Sequence, residues 1–204
     1  MFFYAEMQWD LKGMSFNDLW IAEGEECRHA IVTIENNMVQ HLYKVVAEQK
    51  VIVIGNLPNA VELDRNAMGR LPMHEHLLFT EVLTLEEGFT EDVQAYLKPL
   101  RDRNQAESCL LYLIRLAWDQ SARSLDHSWE TISNEFKSFQ GGKVLGLYRA
   151  VGQQRALVIV DFETVTDINR FTNISCLQLS SVERVWALRD YHIFAEDVWK
   201  YFRV

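Results

Sequence analysis

Two segments of the chain set β-branched and apolar residues on either side of a polar turn in the same pattern. Leu42-Tyr-Lys-Val-Val-Ala-Glu-Gln-Lys-Val-Ile-Val-Ile54 recurs as Leu147-Tyr-Arg-Ala-Val-Gly-Gln-Gln-Arg-Ala-Leu-Val-Ile159, a separation of 105 residues. Each reads as a hairpin turning at Glu48-Gln49-Lys50 or at Gln153-Gln154-Arg155. The stretch from Phe89 to Lys98 returns from Phe194 to Arg203 at the same separation of 105, and it predicts a helix that closes each half. The pattern predicts a tandem duplication.

The remaining elements fall into the same order. Residues 1–10 alternate as a strand ending at Trp9-Asp10, answered by Trp118-Asp119 at a separation of 109. A helix follows from Ser15, whose hydroxyl suits an N-cap ahead of Asp18; Ser124 and Trp129 stand opposite Ser15 and Trp20. Four more residues separate Trp20 from Leu42 than separate their counterparts, about one helical turn. Pro58 to Met68 has helical periodicity, as does Thr164 to Phe171, and Leu77 to Leu85 and Val182 to Leu188 read as fourth strands. Each half is thus β-α-β-β-α-β, the ferredoxin-like unit, with an extra C-terminal helix. The expected domains are residues 1–98 and 106–204, with a polar linker at 99–105.

In the central strand Val51 and Val53 point one way and Ile52 and Ile54 the other, so both faces are apolar. A sheet covered on one side only would show polar residues on its open face. The fold expected is α+β: the sheets of the two halves packed face to face as a single-chain, pseudo-dimeric α+β barrel with helices outside.

Composition narrows the function classes. The formal net charge of −9, without a Lys/Arg cluster, argues against nucleic acid and anionic membranes as partners. No apolar run approaches the roughly 20 residues that span a bilayer, and Met1-Phe2-Phe3-Tyr4 lacks a basic signal-peptide start, so the expected location is cytoplasmic. Cys27, Cys109 and Cys176 are widely spaced and form neither a disulfide framework nor a zinc motif. Phosphate-loop, nucleophile-elbow and zincin motifs are absent from the sequence.

The first half, at Gly24-Glu-Glu-Cys-Arg-His-Ala30, Leu42-Tyr-Lys-Val-Val46, Val53-Ile-Gly-Asn56 and Gly69-Arg-Leu-Pro-Met73, resembles muconolactone isomerase and its dimeric α+β barrel relatives over residues 1–88. The second half keeps the element order but has Leu177-Gln-Leu-Ser180 where the Leu-Pro loop belongs. Tyr43 stands where that family has Trp, Cys27 where it has Lys, and His74-Glu75-His76 where it has Phe-Pro-Tyr. The resemblance implies a small organic substrate enclosed between sheet and helices, without a cofactor.

The two halves differ where function can differ. Trp129, Ile132, Phe136 and Phe139 form an apolar helical stripe, whereas the matching positions are Trp20, Glu23, Cys27 and Ala30. Two phenylalanines replaced by Cys and Ala leave volume that a close-packed interior must recover, which predicts a pocket in the first half and a filled space in the second. Glu23 would face that pocket, where an apolar setting raises a carboxyl pKa and makes it a proton shuttle. His41, His74 and His76 also belong to the first half only and are the other candidate proton carriers. Trp20, Cys27, Ala30 and Tyr43 are expected to line the pocket. No metal site is expected, because the two imidazoles of His74 and His76 lack a further ligand by spacing. Glu25 and Glu26 read as a solvated face, and Lys44 and Arg149, common to both halves, as structural.

The function expected is a cofactor-independent isomerase or cyclase that moves a proton within a lactone, polyketide-like or other enolisable compound. The alternatives are a cofactor-free monooxygenase of the same fold and a non-catalytic small-molecule binding protein. Pairing of exposed sheet edges into a homodimer of pseudo-dimers is left open.

Overall fold

A computed structural model describes residues 1–10, 12–66, 71–103, 105, 109–118, 125–173 and 180–202. Leu177 to Leu179, Gly69, Arg70, Ser124 and Cys176 lie outside the described residues. The elements are β1 (Phe2–Trp9), α1 (Phe16–Glu35), β2 (Val39–Val45), β3 (Lys50–Asn56), α2 (Ala60–Arg65), β4 (Leu77–Thr90), α3 (Val93–Asp102), β5 (Leu110–Trp118), α4 (Leu125–Lys137), β6 (Gly142–Ala150), β7 (Arg155–Phe162), α5 (Val165–Thr172), β8 (Ser180–Asp190) and α6 (Tyr191–Phe202). The described residues thus form an α+β protein of eight strands and six α-helices, with one 3-10 turn at His74–His76. None of the described helices is long and apolar enough to cross a membrane.

The chain divides into two compact units, and the division is not at the linker. Unit 1 comprises Met1–Thr84 with Arg189–Val204, and unit 2 comprises Leu85–Leu188. The chain therefore leaves unit 1 within β4 and returns within β8. As a result α6 belongs to unit 1 and α3 to unit 2: the third helix of each comes from the other half of the sequence. Helix α3 also runs through Pro99 to Asp102, where the polar composition marked the start of a linker.

In unit 1, β1 and β2 both pair antiparallel with β3, and the start of β4 follows β1, with the Asp10 N–H donating to the His76 carbonyl at 2.7 Å. In unit 2, β5 and β6 pair antiparallel with β7, and β8 with β5. Helix α1 starts where Ser15 allows it: the Ser15 hydroxyl accepts from the Asp18 N–H at 3.2 Å, satisfying one of the orphan donors of the first turn.

Both faces of the unit 1 sheet are buried. Toward α1 lie Phe3, Ala5, Trp9, Leu42 and Val51; on the opposite face Tyr4, His41, Tyr43, Ile52 and Ile54 are equally enclosed. That second face also buries a charge pair. Lys50 Nζ donates to Glu6 Oε2 at 2.7 Å and the Tyr4 hydroxyl to Glu6 Oε1 at 2.8 Å, so the carboxylate's burial is compensated on both oxygens.

Candidate functional site

The space between helix and sheet is used differently in the two units. In unit 2, α4 lays Trp129, Ile132 and Phe136 on the sheet, with Phe139 packed against the same cluster. Phe136 stacks on Phe171 at 5.0 Å between ring centroids, and Phe139 meets Phe171 edge-on at 5.2 Å. Phe162 closes the group against Phe171 at 5.5 Å. Packing is tight enough that a Cβ on Gly88 would lie 2.8 Å from the Trp129 ring.

In unit 1, Trp9, Trp20, Tyr191 and Phe194 pack as one group with α1, and space remains beside them. A cavity of about 120 Å³ lies between that helix and the sheet, walled by Phe3, Ala5, Met7, Val39, Leu42 and Val53 among others. Its size approaches the roughly 150 Å³ of an engineered apolar cavity that takes a benzene ring. Ala30 borders it on the helix side, and Glu26 and Tyr191 bring polar atoms to its edge. A second recess, of about 200 Å³, opens by the first turns of α1 and the β2–β3 turn, bounded by Trp9, Phe16, Trp20, Glu23, Lys44 and Glu48.

Glu23 is only 1% exposed. Its Oε1 accepts from the Tyr191 hydroxyl at 3.2 Å and, weakly, from the Cys27 thiol at 3.8 Å; its Oε2 is buried with no hydrogen-bond partner among the described residues. Burial drives its pKa well above the usual carboxylate value, and neighbouring Glu26 adds to the rise, outweighing Tyr191, Cys27 and Lys44. The carboxyl is thus held toward its neutral form, in a residue that lines the recess. Glu26 is buried too: its Oε2 accepts from the Met73 N–H at 3.2 Å, and desolvation raises its pKa. This corrects the solvated reading of the Glu25-Glu26 pair for its second member, while Glu25 lies exposed and pairs with Arg28. Three residues along a helix is a rotation of about 300°, so Glu26 lies within about 60° of Glu23 and shares its buried side.

The other sequence candidates separate. Trp20 lines the recess and Ala30 the cavity, and Cys27 is wholly buried between Glu23 and Tyr191, its thiol pKa pushed up by burial and by Glu23. His41 and Tyr43 line neither hollow. The β2–β3 register slips between Val39 and His41, so Leu42 and Lys44, rather than His41 and Tyr43, follow Val39 onto the α1 side. His41 is fully enclosed, with Nδ1 3.2 Å from the Tyr43 hydroxyl, and burial lowers its pKa to about 3. His74 and His76 form the 3-10 turn outside both hollows, with Nδ1 atoms on the Leu71 and Asp10 carbonyls at 3.1 Å each.

Three contributors were not anticipated. Tyr191 and Trp199 reach the site from α6; the Trp199 indole donates to the Gly24 carbonyl at 3.1 Å. Lys44 is the third. Its Nζ donates to the Val45 carbonyl at 2.7 Å and to the Glu48 carbonyl, and it stands 5.4 Å from the Trp9 ring centroid. Burial is the main cause that brings its pKa down to about 8, against the opposing pull of Glu23 and Glu48. Glu23 and Lys44 thus both shift toward their uncharged forms: for this pair desolvation outweighs mutual attraction.

No protein-family model and no curated protein matches the chain. Solved structures do match it, along nearly its whole length. A chlorite dismutase from Candidatus Nitrospira defluvii, as a variant in complex with cyanide, is similar with a TM-score of 0.60 at 10% identity, covering 97% of this chain and 93% of that one. The same enzyme in complex with imidazole also gives a TM-score of 0.60 at 10% identity, covering 97% and 94%. Identity this low shows a common fold.

These neighbours overturn the muconolactone isomerase resemblance, whose motifs are hairpin, strand-end and loop signatures that several ferredoxin-like folds can meet. The isomerase or cyclase function falls with it, and the neighbours support neither the cofactor-free oxygenase nor the purely binding alternative. The recurrence at 105 residues corresponds to a repeated order of elements, which does not by itself show a duplication.

Proposed function

We propose that the protein is an enzyme acting on a small, largely apolar organic compound in unit 1, with Glu23 as the acid that protonates an oxygen of that compound during addition to its carbonyl group. The observation that carries this reading is a buried carboxyl with one oxygen unpartnered, in a residue that lines the recess, whose burial pushes it toward its neutral form. A neutral carboxyl in an apolar setting donates a strong hydrogen bond to a carbonyl oxygen and stabilises the charge that develops there. Trp9, Trp20 and Phe16 supply apolar walls for the rest of the molecule.

Cyanide and imidazole, bound by the neighbours, are ligands of transition-metal ions, so the fold family implies a haem or metal centre. The residues here do not fit a haem. Beneath α4, Phe136, Phe162 and Phe171 pack together, and the recess of about 420 Å³ beside Phe136 and Phe139 is bounded by Phe89, Glu91, Lys137 and Lys143 with no imidazole, thiolate, thioether or phenol to hold an iron; the cavity beneath α1 has the volume of about one six-membered ring. Met7, Met38 and Tyr191 are the side chains at that cavity with atoms able to serve as axial ligands, yet its walls leave no room for a macrocycle. Among the described residues no group of three His, Cys, Asp or Glu side chains is arranged to hold a metal ion. No step is therefore assigned to such a group.

The test is a screen of aromatic and alicyclic aldehydes and ketones for thermal stabilisation and for turnover. A ligand should raise the melting temperature of the wild type. Leu19→Trp, which narrows the recess, should abolish that shift. Glu23→Gln should keep the shift and slow turnover by about 10²–10⁴-fold. Stabilisation indifferent to Leu19→Trp, or full turnover by Glu23→Gln, would overturn the reading.

A further inference from the structure

We propose that Lys44 is a nucleophilic amine, and that the recess of unit 1 takes aldehydes or ketones with an apolar ring, which Lys44 binds covalently as a Schiff base. The inference rests on the reading of Glu23 as a proton donor and names the substrate class of that site.

The geometry of the Lys44 amine carries it. An ammonium has three N–H donors; a neutral amine has two and a lone pair. Lys44 Nζ has two acceptors, the Val45 and Glu48 carbonyls, and it borders the recess that Glu23 also lines. With both N–H groups directed to those carbonyls, the lone pair is left for the recess. Among the described residues no carboxylate is in ion-pair contact with Lys44. The corresponding residue of unit 2 is Arg149, which pairs with Glu86 and packs over the Trp129 ring at 5.6 Å. A guanidinium stays charged and serves as a fixed cation, whereas a lysine in a desolvated site loses its proton readily. A pKa of about 8 makes a neutral fraction available near neutral pH.

The step balances as follows. The Nζ lone pair attacks the carbonyl carbon, a C–N bond forms, and the carbonyl π pair moves to oxygen, which takes a proton from Glu23; the nitrogen gives its surplus proton back to the Glu23 carboxylate, leaving a carbinolamine. Glu23 then protonates the hydroxyl, which leaves as water while the C=N bond forms. The iminium nitrogen returns its proton to the Glu23 carboxylate, leaving a neutral imine. While it exists, the iminium cation lies near the Trp9 and Phe194 rings, whose centroids stand 5.4 and 5.8 Å from Nζ and whose faces attract positive charge.

The test uses the full chain with benzaldehyde and sodium cyanoborohydride, followed by peptide mass spectrometry. Lys44 should gain the benzyl group at least about tenfold faster than the exposed Lys98 and Lys200, Lys44→Arg should lose this fast labelling, and Glu23→Gln should slow it about tenfold. The rate at Lys44 should rise with pH and level off just above 8, a midpoint set by burial and by Glu23 on α1, Glu48 in the hairpin turn and Arg189 at the end of β8. Labelling of Lys44 no faster than that of Lys98 would overturn the proposal. If benzaldehyde still stabilises the wild type and not Leu19→Trp, the Schiff base alone fails; if stabilisation is missing as well, the proposed function fails with it.

Discussion

Helices α1 and α4 occupy the same place in two units of the same element order, and what each lays on its sheet differs in kind. Helix α4 buries rings, with Phe136 stacked on Phe171 and a recess of about 420 Å³ opening beside Phe136 and Phe139. Helix α1 buries two carboxyls and a thiol, Glu23, Glu26 and Cys27, along with Leu19 and Ile34. Stacked rings gain dispersion contacts and apolar burial; buried acids forgo both and must be held out of water. The difference teaches where to look for chemistry. At matched positions unit 2 sets rings on its sheet and unit 1 sets titratable groups.

The largest expected effect breaks the aromatic side. Phe136→Ala should lower the unfolding free energy by about 3–5 kcal/mol, because the stacked and edge-on rings around it cannot all collapse into the gap. Cys27→Ala, at the corresponding position of α1, should cost about 1 kcal/mol, since it removes one small group with only weak contacts to Glu23 and Tyr191. Urea unfolding of both variants measures the contrast. Equal losses would show that the two interiors are packed alike.

The next effect is in the pH dependence of stability, where buried acid and buried imidazole pull in opposite directions. Glu23 is protonated in the folded protein well above the about 4.3 at which it ionises when unfolded. As pH rises from about 4.3 through the folded value, only the unfolded chain gives up the proton, so stability falls, by at most about 1.4 kcal/mol per pH unit for one group. Glu26 acts in the same direction. His41 is neutral in the folded protein down to about 3. When pH drops from about 6.5 toward that value, only the unfolded chain takes up a proton, and stability again falls. Urea midpoints across pH 3–9 should therefore show Glu23→Gln gaining on the wild type as pH rises, and His41→Gln gaining as it falls. Curves that run parallel to the wild type would mean that neither group titrates differently on folding.

The fold was legible in the sequence where its causes are local. The hairpins, the Ser15 cap and the apolar character of both faces of β3 are written in residues two to four apart, and the structure has each of them. Side-chain volumes alone did not locate the hollows: Ala30 borders a cavity, Cys27 borders neither hollow of unit 1, and Phe136 and Phe139 border a recess of their own. What could not be read depends on register or on distant partners. One bulge near Gln40 moves His41 and Tyr43 to the face away from α1 and brings Lys44 to the recess, and no periodicity announces it. Glu26 looked solvated because its neighbour is; counting helical angle from Glu23 would have placed it inward. That α6 supplies Tyr191 to unit 1 depends on where the chain crosses between units, which the pattern along one element does not encode.

The smallest prediction sharpens the comparison at one matched pair of turn residues. Ala47, in the β2–β3 turn at the recess, has φ of 60°, while Gly152 occupies the same place of the β6–β7 turn at 73°. A left-handed backbone costs a non-glycine residue about 1–2 kcal/mol and glycine little. Ala47→Gly removes that strain but frees the unfolded chain by about 0.4–1 kcal/mol, so the net gain should lie between about 0 and about 1.6 kcal/mol. Gly152→Ala should lose a similar amount, as nothing stands within 4 Å of the added Cβ to change the sign. Because Ala47 borders the recess without offering a functional group, Ala47→Gly should also leave Lys44 labelling within about twofold of the wild type. A large change in labelling with a small change in stability would mean that the strained turn itself aims the amine, and that unit 1 keeps alanine there for its chemistry.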